Sequence, residues 1–229
     1  MSPHRSDPEL LVLHTLRLKG FVDADVVALS CRLPEDLVEQ LLDRLAADGF
    51  VARREGRITG WSLTPEGRAA GERLLAAELD TAGCRHVVED AYRRFLTLNG
   101  PFLECCTRWQ AREQDGTVRE NDHADAAYDA EIVASLDQLD DAVQAICADL
   151  AAVLERFSYY NGRFAAARLR VHAGDHDWFS KPMIDSYHSV WFELHENLLA
   201  TLNIDRATEW AGVGQQDVDT SASSSIGRH

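Results

Sequence analysis

The sequence predicts a mainly α protein in two parts. The first is a small unit of helices with one short β-hairpin, and the second is an all-α bundle containing one long heptad-patterned helix. Three observations predict this. Within the first 80 residues, capped helical segments surround "FVARREGRITGWSLT", which reads as two extended runs about a turn. From Ile132 to Phe157, apolar residues recur at alternating steps of 4 and 3. No run approaches the ~18 apolar residues of a membrane span, so nothing competes with a packed, soluble reading.

The 229 residues suffice for one large or two small domains. Residues 1–8 read as a flexible lead-in, 9–80 as the first domain and 81–211 as an all-helical domain. The tail 212–229, "GVGQQDVDTSASSSIGRH", is small and polar and is expected to be disordered. The start of the chain lacks the apolar stretch of a signal peptide, and a cytoplasmic location is expected.

Asp7 is placed to cap the first helix, with Pro8 at its first position and Gly20 as its stop. "DADVVALS" makes a short second helix. Pro34 opens a third, with Leu37, Leu41 and Leu45 on one face, Val38 and Leu42 beside them, and Gly49 at its end. The hairpin turns at Glu55-Gly56. Thr64, Pro65 and Glu66 then restart a helix as cap, first residue and dipole-favoured acid.

Helix, helix, helix, hairpin, helix is the order of a winged helix-turn-helix. The stretch "LVEQLLDRLAADGFVARREGRITGWSLTPEGRAAGERLL" resembles the winged-helix domain of MarR-type transcriptional regulators. The likeness covers residues 10–75, and its most specific part is Leu63–Arg68 just after the hairpin. It implies double-stranded DNA as a partner, with the third helix as recognition helix and the hairpin as wing. The expected DNA-binding residues are Arg32, Gln40 and Arg44 around that helix, Arg53, Arg54 and Arg57 on the wing, and Arg68 beyond it.

Charge opposes this in part. Residues 1–80 hold 10 Lys and Arg against 14 Asp and Glu, and residues 81–229 hold 13 against 24, for a net charge of −15. Such a field repels nucleic acid, so contact must come from a local basic patch. The third helix also exposes Glu35, Asp36, Glu39 and Asp43. A module that docks another protein, or a regulatory subunit of an enzyme, is therefore the alternative.

In the second part, the stripe Ile132, Leu136, Leu139, Val143, Ile146, Leu150, Val153 and Phe157 predicts a helix from Asp125 to Tyr160. At 1.5 Å per residue it would be roughly 54 Å long. Such a helix needs long partners from its own chain, from a second chain, or both, and a homodimer is expected. Upstream, "HVVEDAYRRFLTL" and "FLECCTRWQARE" read as two helices parted by "NGP". "EQDGTVRENDH" reads as a polar interruption, with Asp122 or Asp125 capping the long helix. Downstream lie "RFAAARLRVH" and "KPMIDSYHSVWFELHENLLATL".

In the last segment Ile184, His188, Trp191, His195, Leu198 and Leu202 form a second stripe, beside Met183, Tyr187, Val190 and Leu194. Aromatics at helical spacing are usually core, but His188, Trp191, His195 and Tyr187 could also line a pocket for a small-molecule effector. "VHAGDHDWF" gathers His172, Asp175, His176 and Asp177, yet Gly174 interrupts it and His188 and His195 lie about 10 Å apart along a helix. No metal site and no cofactor are expected. The sequence carries no Gly-rich phosphate loop, GxSxG, CxxC or HExxH, so no enzymatic activity is expected. The five cysteines, Cys31, Cys84, Cys105, Cys106 and Cys147, read as reduced thiols; the adjacent pair is either a redox sensor or two small buried hydrophobes.

Overall fold

The computed structural model describes residues 2–56, 59–114 and 116–206; Arg57 and the tail 212–229 lie outside them. Among these residues the chain is mainly helical, with two small antiparallel hairpins. No helix is long and apolar enough to cross a membrane.

Helix α1 spans Pro8–Lys19. Asp7 caps it by accepting from the Glu9 amide at 2.8 Å, and Gly20 ends it at φ 78°. α2 (Ala24–Cys31) and α3 (Glu35–Ala47) follow, and Val38, Leu41, Leu42 and Leu45 turn inward from α3. Strands β1 (Val51–Arg54) and β2 (Gly60–Leu63) pair from Val51↔Leu63 to Arg54↔Gly60. Val22 bridges Trp61 on the other edge of β2, donating at 3.2 Å and accepting at 2.8 Å, which ties the α1–α2 connection to the hairpin.

α4 runs from Pro65 to Ala82. The Thr64 hydroxyl accepts from the Gly67 amide at 3.0 Å and donates to the Gly49 carbonyl at 2.8 Å. Its first turn lies so close to the α3–β1 connection that a Cβ on Gly67 would stand 1.8 Å from the Phe50 carbonyl oxygen. "LTPEGR" is thus a cap followed by an obligatory glycine.

α5 spans Arg85–Gln110 without a break at "NGP", contrary to the two helices expected there. Pro101 sits inside it because packing outweighs the lost hydrogen bond. Phe95 and Phe102, on either side, both pack on Trp191, the first tilted at 4.8 Å and the second stacked at 4.1 Å. The polar interruption is also corrected: Ala111–Gln114 (β3) and Thr117–Glu120 (β4) form a second hairpin, turning through Gly116 at φ 73°.

α6 spans Ala126–Val153, capped by Asp125. It is shorter than the span Asp125–Tyr160, at about 42 Å. At its end the backbone turns out to meet the N-terminus. His4 donates to the Val153 carbonyl at 2.8 Å and accepts from the Glu155 amide at 2.9 Å. Residues 2–8 therefore do not run free, as the sequence reading has them. A single 3-10 turn, Glu155–Phe157, leads to α7 (Tyr160–His172).

The stripe Ile132, Leu136, Leu139, Val143, Ile146 and Leu150 is buried within the chain. α5 and α7 cover it, so no second chain is needed for that purpose. A four-residue α8, Asp177–Ser180, precedes α9, Tyr187–Leu202, which Ser186 caps. Met183 and Ile184 therefore lie outside the last helix, and Met183 is fully exposed.

The two parts are joined by more than the α4–α5 link. α9 packs on α1 and α4 as well as on α5 and α7. Between them Arg156 donates to Glu78 at 2.9 Å, to the Asn197 side-chain oxygen Oδ1 at 2.8 Å and to the Thr201 hydroxyl at 2.9 Å. Ser6 also donates to Glu78.

Candidate functional site: an exposed helix, its hairpin and the cavity behind

The outer face of α3 carries Glu35, Asp36, Glu39, Gln40, Asp43 and Arg44, all exposed. The inward leucines dictate this, because they leave only the polar stripe for solvent. Of the expected DNA-binding residues, Arg44 is held at 2.7 Å by Glu9. Arg32 ends α2 in the left-handed region, at φ 55°, and turns toward the bundle. Its guanidinium lies 5.3 Å from the centre of the Tyr159 ring. On the hairpin, Arg53 pairs with Glu55 at 3.4 Å and lies over Trp61, and Arg54 lies over Phe21. Arg68 is exposed in the first turn of α4, and Arg57 is outside the described residues. Gln40, Arg53, Arg54 and Arg68 are thus exposed on this unit; Arg32 and Arg44 are exposed too, but Arg32 lies against the bundle and Arg44 is paired with Glu9, much as Arg53 is with Glu55.

Behind this surface, α1 and α2 meet the 3-10 turn and the start of α7 around a cavity of about 490 Å³. Leu11, Leu18 and Leu37 supply apolar wall; His14, Arg32 and Tyr159 supply polar groups. A second cavity of about 360 Å³ shares Arg32 and Tyr159 and reaches Arg163 and Glu193.

His14 is a polar residue set in the wall of the first cavity. Its Nε2 lies 2.9 Å from the Asn197 side-chain oxygen Oδ1, which also accepts from Arg156. An oxygen can only accept, so Nε2 carries the proton and Nδ1 is left as a bare acceptor. Nδ1 is buried and has no hydrogen-bond partner. Burial first, and then the Arg156 charge, push the His14 pKa down to about 3, so the ring is neutral near pH 7. A ligand in this cavity meets apolar walls and the Arg32 side chain, while His14 Nδ1 stays closed off behind the wall. Beside it, Cys31 shares a hydrogen bond with Thr15 at 3.2 Å, and burial raises its thiol to about 11.

His14, Arg156 and Asn197 escape a sequence reading, although His14 inside "ELLVLHTLRL" and Arg156 next to Phe157 at the end of an apolar stripe are polar residues in buried contexts. The residues expected to line an effector pocket lie elsewhere. Tyr187 donates to Asp140 at 2.9 Å; Trp191 donates to Asn99 at 3.1 Å and stacks on Phe102. His195 packs 5.3 Å from Phe95, and half-buried His188 packs 6.1 Å from Phe102. Neither cavity is lined by any of the four. The acids and histidines of "VHAGDHDWF" disperse: His172 turns to Asp137 at 2.9 Å, Asp175 to Arg170 and Asp177 to Lys181. Cys105 and Cys106 are buried with raised pKa values, Cys106 at about 12, which leaves both as protonated thiols.

The chain matches no protein-family model, and no curated protein or solved structure is significantly similar to it.

Proposed function

We propose that this protein is a cytoplasmic, non-enzymatic transcriptional regulator that binds double-stranded DNA through a winged helix formed by α1–β2 and α4. The observation that carries the reading is the Val22–Trp61 bridge. It ties the α1–α2 connection to the free edge of β2 through a single antiparallel bridge, as expected where the wing of a winged helix joins its helical part. Gln40 is suited to reading a base edge, and Arg53, Arg54 and Arg68 to holding phosphate or the minor groove. Two copies would present two such units to half-sites about one DNA turn apart. The dimer contact would use a surface other than the α6 stripe, which the chain itself covers. An effector in the 490 Å³ cavity would sit between the DNA-facing unit and the bundle, and would shift the population of arrangements that fit DNA.

The test is fluorescence anisotropy of the full chain on labelled duplex flanking its own gene, over a salt series. Three arginines per subunit, and so six per dimer, set a log–log salt slope of about −5 or shallower. Arg54→Ala with Arg68→Ala should weaken all sequences alike, and Glu39→Lys should strengthen them, since it replaces an acid facing phosphate. A specific observation favours a second reading: the outer face of α3 is acidic, and its Arg44 is already neutralised by Glu9. If none of these substitutions alters binding, α3 is better read as docking a basic protein partner.

A further inference from the structure

Apart from that surface and its cavity, the loop between β4 and α6 meets the turn between α7 and α8. Here His123, Asp129 and His176 come together, with one ligand-capable atom from each lying within 4.8 Å of the others. His123 Nδ1 stands 2.9 Å from Asp129 Oδ2. The rings of His123 and His176 are 4.3 Å apart. Trp109 walls the group, 4.5 Å from His123 and edge-on to His176 at 5.4 Å. We propose that His123, Asp129 and His176 form a binding site for one divalent transition-metal ion of the zinc class.

Three features argue for an ion rather than an ordinary histidine–aspartate hydrogen bond. The first is the second imidazole. Among the described residues, the His176 ring makes ring contacts but no hydrogen bond or ion pair, yet it is set against the ring that already faces a carboxylate. The second is the support behind Asp129. The buried Asn121 amide donates to Asp129 Oδ1 at 2.9 Å and to the Trp109 carbonyl at 3.2 Å. That fixes one carboxylate oxygen and leaves the other toward the histidines, as outer groups orient a metal ligand.

The third feature is the donor set. Two imidazole nitrogens and one carboxylate oxygen suit zinc, cobalt, nickel or iron better than magnesium or calcium. Ligands of a tetrahedral zinc ion stand roughly 3.4 Å apart, as follows from bonds of about 2.1 Å. Drawing the group in from 4.8 Å is a small adjustment for His176, which is exposed on a turn. His123 and Asp129 keep 21% and 12% of their side-chain surface, so solvent reaches the position and a fourth ligand can be water. The bound ion would staple the start of α6 to α8. The sequence hides the site because its histidines lie in two unrelated polar stretches.

The experiment is titration of the metal-free full chain with Co(II), followed by competition with Zn(II). One equivalent should bind, with the visible bands of a four-coordinate ion and without the near-ultraviolet band of a cobalt–thiolate bond. His176→Ala should weaken binding at least ~100-fold while circular dichroism stays native, because the residue is exposed. His123→Ala should do the same, and His172→Ala should leave binding unchanged. Asn121→Ala should cost about 10–100-fold. The proposal fails if His176→Ala binds as tightly as the parent, if thiolate bands show the ion on cysteine, or if Co(II) binds no tighter than millimolar. None of these readouts involves DNA, so the outcome is independent of the regulatory reading.

Discussion

Replacing Arg156 tests whether the two parts of the molecule form one cooperative unit. Arg156 and Glu78 each retain only 3% of their side-chain surface, and their ion pair is 2.9 Å long. The guanidinium also serves Asn197 and Thr201 and lies 4.5 Å from the Phe157 ring centre. Arg156→Met keeps much of the apolar stem but strands the Glu78 carboxylate in the interior. Stranding one charge of a buried pair costs about 3–5 kcal/mol. For a chain of this size that lowers Tm by roughly 6–20 °C. Glu78→Gln in the same chain removes the stranded charge, so the double variant should be more stable than the sum of the single effects by about 2 kcal/mol. Urea unfolding of the parent, both single variants and the double variant gives this coupling. Two results would refute the reasoning: additivity within about 0.5 kcal/mol, or two separate transitions in the parent, since a shared buried ion pair should make α4 and the bundle unfold together.

Two further predictions concern single residues. His14 titrates at about 3 in the folded chain against 6.5 in an exposed state, so the unfolded chain takes up the proton first as pH falls. Stability is therefore complete above about 6.5 and is lost below it, at up to about 1.4 kcal/mol per pH unit. In His14→Gln the loss between pH 6 and pH 4 should be visibly smaller than in the parent, and identical slopes in urea melts would overturn the assignment. Gly67→Ala places a methyl group against the Phe50 carbonyl, which as backbone cannot swing aside. It should cost about 3 kcal/mol or more, read as a Tm lower by roughly 6–12 °C; an unchanged Tm would show that α4 can shift away.

Much of the N-terminal unit is legible in sequence because its signals are local. Asp7–Pro8, Gly20 and Thr64–Pro65 specify helix ends through groups within three residues, and the observed caps use those groups. The period of the α6 stripe is equally legible, but its end is not. His4 pulls Leu154 out of the helix, and no spacing within α6 reveals that. Pro101 reads as a breaker because its local cost is visible, whereas the packing of Phe95 and Phe102 on Trp191 is not. The β3–β4 hairpin lacks an apolar face, with Val118 73% exposed, so only the Asp115-Gly116 turn signal was available. The cavity is illegible for a different reason. His14, Arg156 and Asn197 come from three distant segments, and nothing in their spacing announces that they meet. Tyr187, Trp191 and His195 are the residue types of a pocket and of a core alike, and packing alone separates the two.

The buried cysteines have a practical consequence. Cys31 belongs to the N-terminal core, while Cys84, Cys105, Cys106 and Cys147 belong to the bundle core, and none forms a disulfide. A thiol reagent reaches the four bundle cysteines through transient opening and Cys31 through the cavity it lines, and burial disfavours the thiolate of Cys31, Cys106 and Cys147. The molecule thus carries built-in chemical clocks in both of its parts. Their alkylation rates, read side by side by mass spectrometry, separate access to the cavity at Cys31 from opening of the bundle core, without any added probe.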